Sequence, residues 1–406
     1  MKISNKYLVE AIVFFSYVLF AMAWVGGTAS MDQIMEQLKV DTLAAASFIS
    51  GAVTIAKIIG TFLAAWVAIK IGIKNAFLLS CALVVVGVLT PIASSYDVLL
   101  VSRFLMGLGG ALMIVYFNPI VMQWFETEER STINGLNAVA FNIGTAIILW
   151  SMSGINILTG SWQNSLLVFS GISLLLALAW LFVNWDHKAQ AANGSNSRNE
   201  QNLTNEQNIQ PQSDYSYLDG LKDKFNWVYA LTYSGLLAFY ICLFTFYPKA
   251  GIVASKWVIG FGIIGTIAGM IYSKKIKQRL PIIRWSGLVQ LLTVIGLSFS
   301  ANEQLQTLCA TVLGFFIFFP ITALVTIPHE MPGMTGQKIT VVFSLFWSIS
   351  YLFATIVLWL FGLLVDMYQG DFTFAFILIS VISSTFFIGS FLLKETNIKT
   401  KSLEEI

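Results

Sequence analysis

The chain has 406 residues, 57% of them hydrophobic and 11% charged, with a mean hydropathy of +0.76 and a net charge of +2. Soluble domains carry about 25% charged residues, so this composition excludes a water-soluble globule and points to a polytopic membrane protein. Cys81, Cys242 and Cys309 fall singly in apolar runs, and His187 and His329 are too few for a cluster, so neither a disulfide framework nor a metal site is expected.

A helix needs about 20 apolar residues to cross a bilayer core. Runs of that kind cover 8–30, 43–68, 75–94, 98–124, 133–157 and 164–183, then 227–247, 252–272, 282–299, 305–327, 339–364 and 372–393. The run from 8 is too long for the apolar segment of a secretory signal and is expected to stay as the first span. The pattern predicts an all-α membrane protein with twelve transmembrane helices in two pseudo-symmetric six-helix bundles, 1–185 and 225–406. Between them, 186–224 is rich in Asn, Gln and Ser and reads as a disordered linker.

Lys2, Lys6, Lys70, Lys74, Arg130, Lys275, Arg279, Arg284, Lys338 and Lys394 all fall on one side of a twelve-span chain. The opposite loops hold mainly Asp32, Glu36, Lys39, Asp41, Asp97, Glu303 and Asp371, with Lys249 and Lys256 as the exceptions. The positive-inside rule then makes both termini and the linker cytoplasmic, in what is expected to be a bacterial inner membrane.

The second span carries an ammonium group near its midpoint, Lys57 in SGAVTIAKIIGTFLA. A charge at that depth costs several kcal/mol or more, so it must face protein or water. Ser50, Thr54, Gly60, Thr61 and Ala64 share its helical face and are all small or weakly polar, which suits close packing. Two roles fit: a binding group for an anion passing through the protein, or a structural lysine tied to carbonyls or a carboxylate. The chain shows no mid-span Asp or Glu. That leaves the structural role without an obvious partner and argues against an Asp/Glu proton relay.

In the fourth span, Arg103 has Gly107, Gly110 and Ala111 on its own face, allowing close helix approach. It either holds a loop or carbonyls in place or contacts a ligand. The fifth span is rich in amides, with Asn134, Asn137 and Asn142. Tyr229, Tyr233, Tyr240 and Tyr247 form a helical stripe on the seventh span; the two end tyrosines suit an interfacial belt, and Tyr233 and Tyr240 a cavity wall. Ser344, Ser348, Tyr351 and Thr355, with Trp347 beside them, repeat the pattern on the eleventh. Trp24 on the first span is a further lining position. Lys256 opens the eighth span, either at the membrane surface or as a second cation facing a cavity. No GxxxxGK[ST], HExxH or GxSxG occurs, so the chain reads as neither an ATP-driven pump nor an enzyme.

Several stretches resemble the major facilitator superfamily, and the resemblance extends over essentially the whole chain. AWVAIKIGIKN is similar to the loop motif after the family's second span, with Lys70, Gly72 and Lys74 matching its basic and glycine positions. Ala65 stands where the family has Gly, and Ile69 where it has the Asp of a cytoplasmic charge network. RFLMGLGGA resembles the fourth-span motif through Arg103 and Gly107, and WFETEERSTINGL resembles a further motif through Trp124, Phe125, Glu129 and Arg130. The resemblance implies transport by alternating access between two bundles. Cations on the second and eighth spans are similar to those of the family's anion carriers.

The expected function is therefore a secondary active transporter, symporter or antiporter, of a small organic anion: a carboxylate or a carboxylate-type siderophore. Lys57 and Arg103 would balance the ligand's charge, with Tyr233, Tyr240, Trp347, Tyr351, Asn137 and Trp24 around it. Lys70, Gly72, Lys74, Gly107, Glu129 and Arg130 would serve the rocking motion. The expected partners are the anionic solute, a coupling proton or counter-anion, and lipid, with no cofactor and no nucleic acid, for a monomer. The alternatives are an exporter of amphipathic drugs, a nitrate/nitrite-type carrier and a receptor of the same architecture that binds without transporting. The orientation is checked with reporter fusions at the C-terminus: green fluorescent protein should fluoresce and alkaline phosphatase should be inactive, and the reverse pattern contradicts it.

Overall fold

The computed structural model describes residues 3–185 and 215–395, except 274, 277 and 335. Eleven helices in it are long and apolar enough to cross a membrane. Those of the first half are Lys6–Ala29, Leu43–Ala64, Trp66–Leu89, Tyr96–Trp124, Thr132–Thr159 and Trp162–Leu181. The second half adds Lys224–Phe246, Ser255–Ser273, Leu280–Phe299, Glu303–Glu330 and Lys338–Met367, with the shorter apolar helix Thr373–Gly389 completing the twelve. They are numbered below as spans one to twelve.

Local chemistry sets the helix ends. Asn5, Ser95, Ser161, Asp223 and Asn302 each accept backbone N–H groups at a helix start. The helix running from span two into span three is broken at Gly72, whose φ of 76° lies in the left-handed region that a side chain disfavours. The glycine of the loop motif is thus where the chain reverses. Gly107 has another use: a Cβ there would lie 2.8 Å from the Cα of Val53, so spans two and four touch backbone to backbone.

The expected disordered linker, 186–224, lies outside the described residues up to 214. Its end departs from the expectation, because Tyr217–Lys222 is helical and capped by Ser216. The Tyr217 ring sits 5.2 Å from that of Phe62 on span two, and Gly220 packs against Val341 and Leu345 of span eleven. Apolar residues at 217, 218 and 221 give this segment a face to bury that composition averaged over the linker conceals.

Two faces of the molecule are tied differently. On the face bearing the termini, Arg279 bonds Glu330 at 2.7 Å, and the Glu395 carboxylate accepts the N–H groups of Arg279 and Leu280 at 2.9 and 3.0 Å. These ties stay within the second half. On the opposite face the ties cross between halves. The Asp366 carboxylate, ending span eleven, accepts the N–H groups of Leu43 and Ala44 at 2.8 and 2.7 Å, where span two begins. Lys249 pairs with Asp32 across the same gap. A carboxylate on the free N–H groups of a helix start is a charge-assisted contact that also meets the positive end of the helix dipole.

Asp366→Ala should loosen this face. In a background with the three native cysteines changed to serine, a cysteine at Thr28 should react with a water-soluble maleimide several-fold faster when Asp366 is removed; an unchanged rate contradicts the role of the tie.

Candidate functional site

Spans one, two, five and eleven meet at Lys57, whose residue is 3% exposed. Its Nζ lies 5.1 Å from the ring centroid of Trp24, 5.2 Å from Tyr351, 5.3 Å from Phe20, 5.4 Å from Phe141 and 5.9 Å from Tyr17. Five aromatic faces thus surround one ammonium group. An ammonium has three N–H donors, and one of them reaches the Tyr351 hydroxyl at 3.2 Å. Cation–π attraction offsets about 2 kcal/mol or more per desolvated contact. It does not replace a counter-charge, and among the described residues no carboxylate pairs with Lys57.

The same contact is a seam between the two halves. Thr54 and Thr355 hydroxyls meet at 2.6 Å, Lys57 meets Tyr351, and Thr61 meets Ser348 at 3.4 Å. The spacing 54, 57, 61 against 355, 351, 348 is that of two antiparallel helices presenting one polar stripe each. Trp347 stacks on Tyr351 at 6.0 Å and meets Tyr233 edge-on at 5.7 Å. The Tyr240 hydroxyl donates to Asn142 Oδ1 at 2.8 Å, and its ring lies 6.5 Å from Phe141. Trp24 keeps a buried indole N–H with no acceptor. The structure therefore brings Lys57, Trp24, Tyr351, Trp347, Tyr233 and Tyr240 into one aromatic cluster.

Arg103 does not join it. Its guanidinium is fully buried and donates to Ile49 O at 2.8 Å, Ala23 O at 2.9 Å and Trp24 O at 2.7 Å, with Thr28 Oγ1 at 3.3 Å. Its donors are taken up by these groups, so that Arg103 ties spans one and two to span four and holds the backbone that carries Trp24. Asn137 also stands apart, buried with both amide atoms unpartnered.

The motif residues cap helices. Lys74 donates to Val183 O at 2.8 Å, and Arg130 to Phe125 O and Met122 O at 3.0 and 3.2 Å. Glu129 completes a capping box with Glu126 and bonds Lys6 at 2.6 Å. That ammonium holds the Glu129 carboxyl below the usual carboxylate range, so the tie is complete at neutral pH and is lost as pH falls through the lowered value. Lys70 and Ile69 are exposed.

Towards the opposite face, a cavity of about 350 Å³ opens between the halves, lined by Asp32, Asn156, Phe244, Lys249, Ser255 and Lys256. Lys256 stands in the first turn of span eight, half-buried in its wall. Phe244 forms part of this vestibule and meets Trp24 edge-on at 5.7 Å, so an aromatic partition separates it from Lys57.

Sequence reasoning missed Phe20 and Phe141, two of 32 phenylalanines with nothing to mark them. It also missed Glu10, which sits inside span one, 4% exposed, with neither carboxylate oxygen hydrogen-bonded. The signal was present: span one begins at Lys6, which puts Glu10 a full turn inside it.

Residues 13–355 match the model of the Major Facilitator Superfamily, and the chain belongs to that superfamily of secondary transporters. An uncharacterized protein of Campylobacter jejuni, Cj0987c, is 30% identical over 59% of this chain and 69% of its own length. A galacturonate transporter of Dickeya chrysanthemi is 32% identical over 23% of this chain and 27% of its own. The inward-open xylose transporter XylE of E. coli superposes with a TM-score of 0.75 at 13% identity, covering 99% of both chains.

Substitution by methionine should separate the two buried cations. Arg103→Met frees several buried carbonyls and should lower the melting temperature in detergent by several degrees. Lys57→Met removes a charge with no counter-ion and should leave the melting temperature unchanged or raise it. Equal losses for both variants contradict the division of roles.

Proposed function

We propose that the chain moves a small organic anion, a carboxylate, across the cytoplasmic membrane by alternating access. The observation that carries this reading is the Lys57 ammonium: deep in the membrane, between the two halves, with one phenol as its hydrogen-bond partner. A carboxylate fits there because it supplies the missing charge and accepts the remaining donors. The surrounding rings suit the carbon skeleton, and the Trp24 indole N–H and the phenols suit hydroxyl or carbonyl groups. The short match to a galacturonate transporter supports the same class, an acid bearing hydroxyl groups.

In this reading Tyr351, Trp347, Tyr233, Tyr240 and Trp24 shape the pocket and Lys57 supplies its charge. Arg103 acts indirectly, by holding the backbone of Trp24. Loading draws Lys57 away from Tyr351 and so weakens the seam between spans two and eleven, which couples ligand binding to the motion of the halves. A drug exporter is disfavoured because a buried ammonium repels the cationic drugs typical of that class. Orientation follows the charge rule, with both termini in the cytoplasm.

The test is galacturonate binding and uptake by purified protein in liposomes, with galactose as the neutral match. Wild-type protein should prefer the acid by at least about tenfold, since one charge-assisted contact contributes roughly 1.5–3 kcal/mol. Lys57→Ala should abolish that preference and Lys57→Arg should retain part of it. A preference for galactose, or an undiminished preference for the acid in Lys57→Ala, contradicts the reading.

A further inference from the structure

The vestibule on the face opposite the termini plays no part in the reading so far, and its charges do not balance. Its volume of about 350 Å³ lies within the range of sites for small organic molecules. Three ionisable residues line it: Lys249 and Lys256 from the second half, and Asp32 from the first. Two cations thus face one carboxylate. Lys249 pairs with Asp32, whereas among the described residues no carboxylate pairs with Lys256. The Lys256 ammonium meets the ring of Trp257, at 6.0 Å. Asn156 adds donors, because its Oδ1 accepts the Ser165 hydroxyl at 2.6 Å and leaves the amide N–H groups for the cavity.

The Lys249–Asp32 pair is lopsided. The side chain of Lys249 is 16% exposed and that of Asp32 75%. The lysine is therefore part of the wall, and the aspartate is a cover lying over it. A carboxylate so exposed gains little from its partner, since water and salt compete for both. Asp32 also loses little by leaving. It stands in the first turn of the helix Met31–Leu38, where the helix dipole favours a negative charge with or without the lysine. The other tie across this face is of a different kind: Asp366 bonds the backbone N–H groups of Leu43 and Ala44 and needs no lysine.

We propose that the vestibule is a second site for the carboxylate solute, in which Lys249 and Lys256 hold its negative group in place of Asp32. In taking the solute to be a carboxylate this rests on the reading of Lys57. The site itself is separate from that lysine, beyond the partition that Phe244 makes with Trp24. Both vestibule lysines belong to the second half, so a carboxylate held by them satisfies that half alone. Asp32, displaced, no longer ties the first half to the second. Arrival of the solute thus exchanges a contact between the halves for one within a half, and Asp366 is the charged tie that remains. The vestibule opens to water, which weakens charge–charge attraction, so it fills at solute concentrations above those that occupy the enclosed Lys57 cage.

The first measurement uses the unaltered protein. Purified in detergent, it is acetylated with a water-soluble N-hydroxysuccinimide ester. The rate at Lys256 is read by peptide mass spectrometry, with the exposed Lys39 as internal reference. Millimolar galacturonate should slow acetylation of Lys256 several-fold and leave Lys39 unchanged. Galactose, or chloride at the same ionic strength, should slow neither. No slowing by galacturonate, or equal slowing by chloride, overturns the proposal.

Three variants then locate the site. Lys57→Ala should keep the protection of Lys256; protection lost in that variant places the acid at the central cage alone and overturns the vestibule site. Asp32→Asn removes the competing carboxylate and should give the same protection at a several-fold lower galacturonate concentration. Lys249→Gln should abolish it. A pair that serves only to brace the halves predicts otherwise, so protection unchanged or weakened by Asp32→Asn, or untouched by Lys249→Gln, overturns the proposal. Protection of Lys256 in a protein whose uptake shows no preference for galacturonate over galactose would fail the Lys57 reading and leave the vestibule site standing.

Discussion

A lysine ammonium fixed in the middle of a membrane protein, with aromatic faces around it and no carboxylate to meet it among the described residues, sets the terms for the rest of this molecule. Helices cannot place such a group against lipid. They surround it with spans one, two, five and eleven, and the surrounding surface is aromatic because rings accept a cation without offering a competing anion. The arrangement is tolerable but incomplete.

Arg103 shows the contrast. It is more deeply buried than Lys57, yet its donors are met by backbone carbonyls of two other helices. One cation is satisfied and holds helices together; the other is under-satisfied and sits where the halves meet. That difference separates a cation met by backbone on all sides from one with a single phenol as its hydrogen-bond partner. The seam beside Lys57 is made of hydroxyl contacts that water replaces readily, whereas Asp366 and the Lys249–Asp32 pair brace the opposite face with charge. The braced face and the hydroxyl seam together describe a carrier closed on one side and lightly latched at its centre.

Much of this was legible in the chain. Twelve apolar runs gave the spans to within a few residues, because hydrophobic length is a local property, except span three, which begins nine residues before its expected start. Lys57 was legible too, since an ionisable residue at mid-span stands out against any apolar background. Tyr233, Tyr240, Trp347 and Tyr351 were found from helical spacing, which orders residues on a face but not the faces against one another. That missing step explains Arg103: a sequence displays the guanidinium and not the carbonyls of Ile49, Ala23 and Trp24 that receive it. It also explains Glu10, whose nearness to a helix start resembles an exposed flank until span five covers it. The ordered end of the linker escaped notice because composition over forty residues averages away a six-residue amphipathic turn.

Lys57 should be where a ligand's negative group lies. A cryo-electron microscopy structure with a bound hydroxy acid should place its carboxylate about 2.8 Å from Lys57 Nζ, with the carbon skeleton against Trp24 and Tyr351. Density for the acid away from Lys57, with the ammonium still bonded to Tyr351 alone, would contradict it.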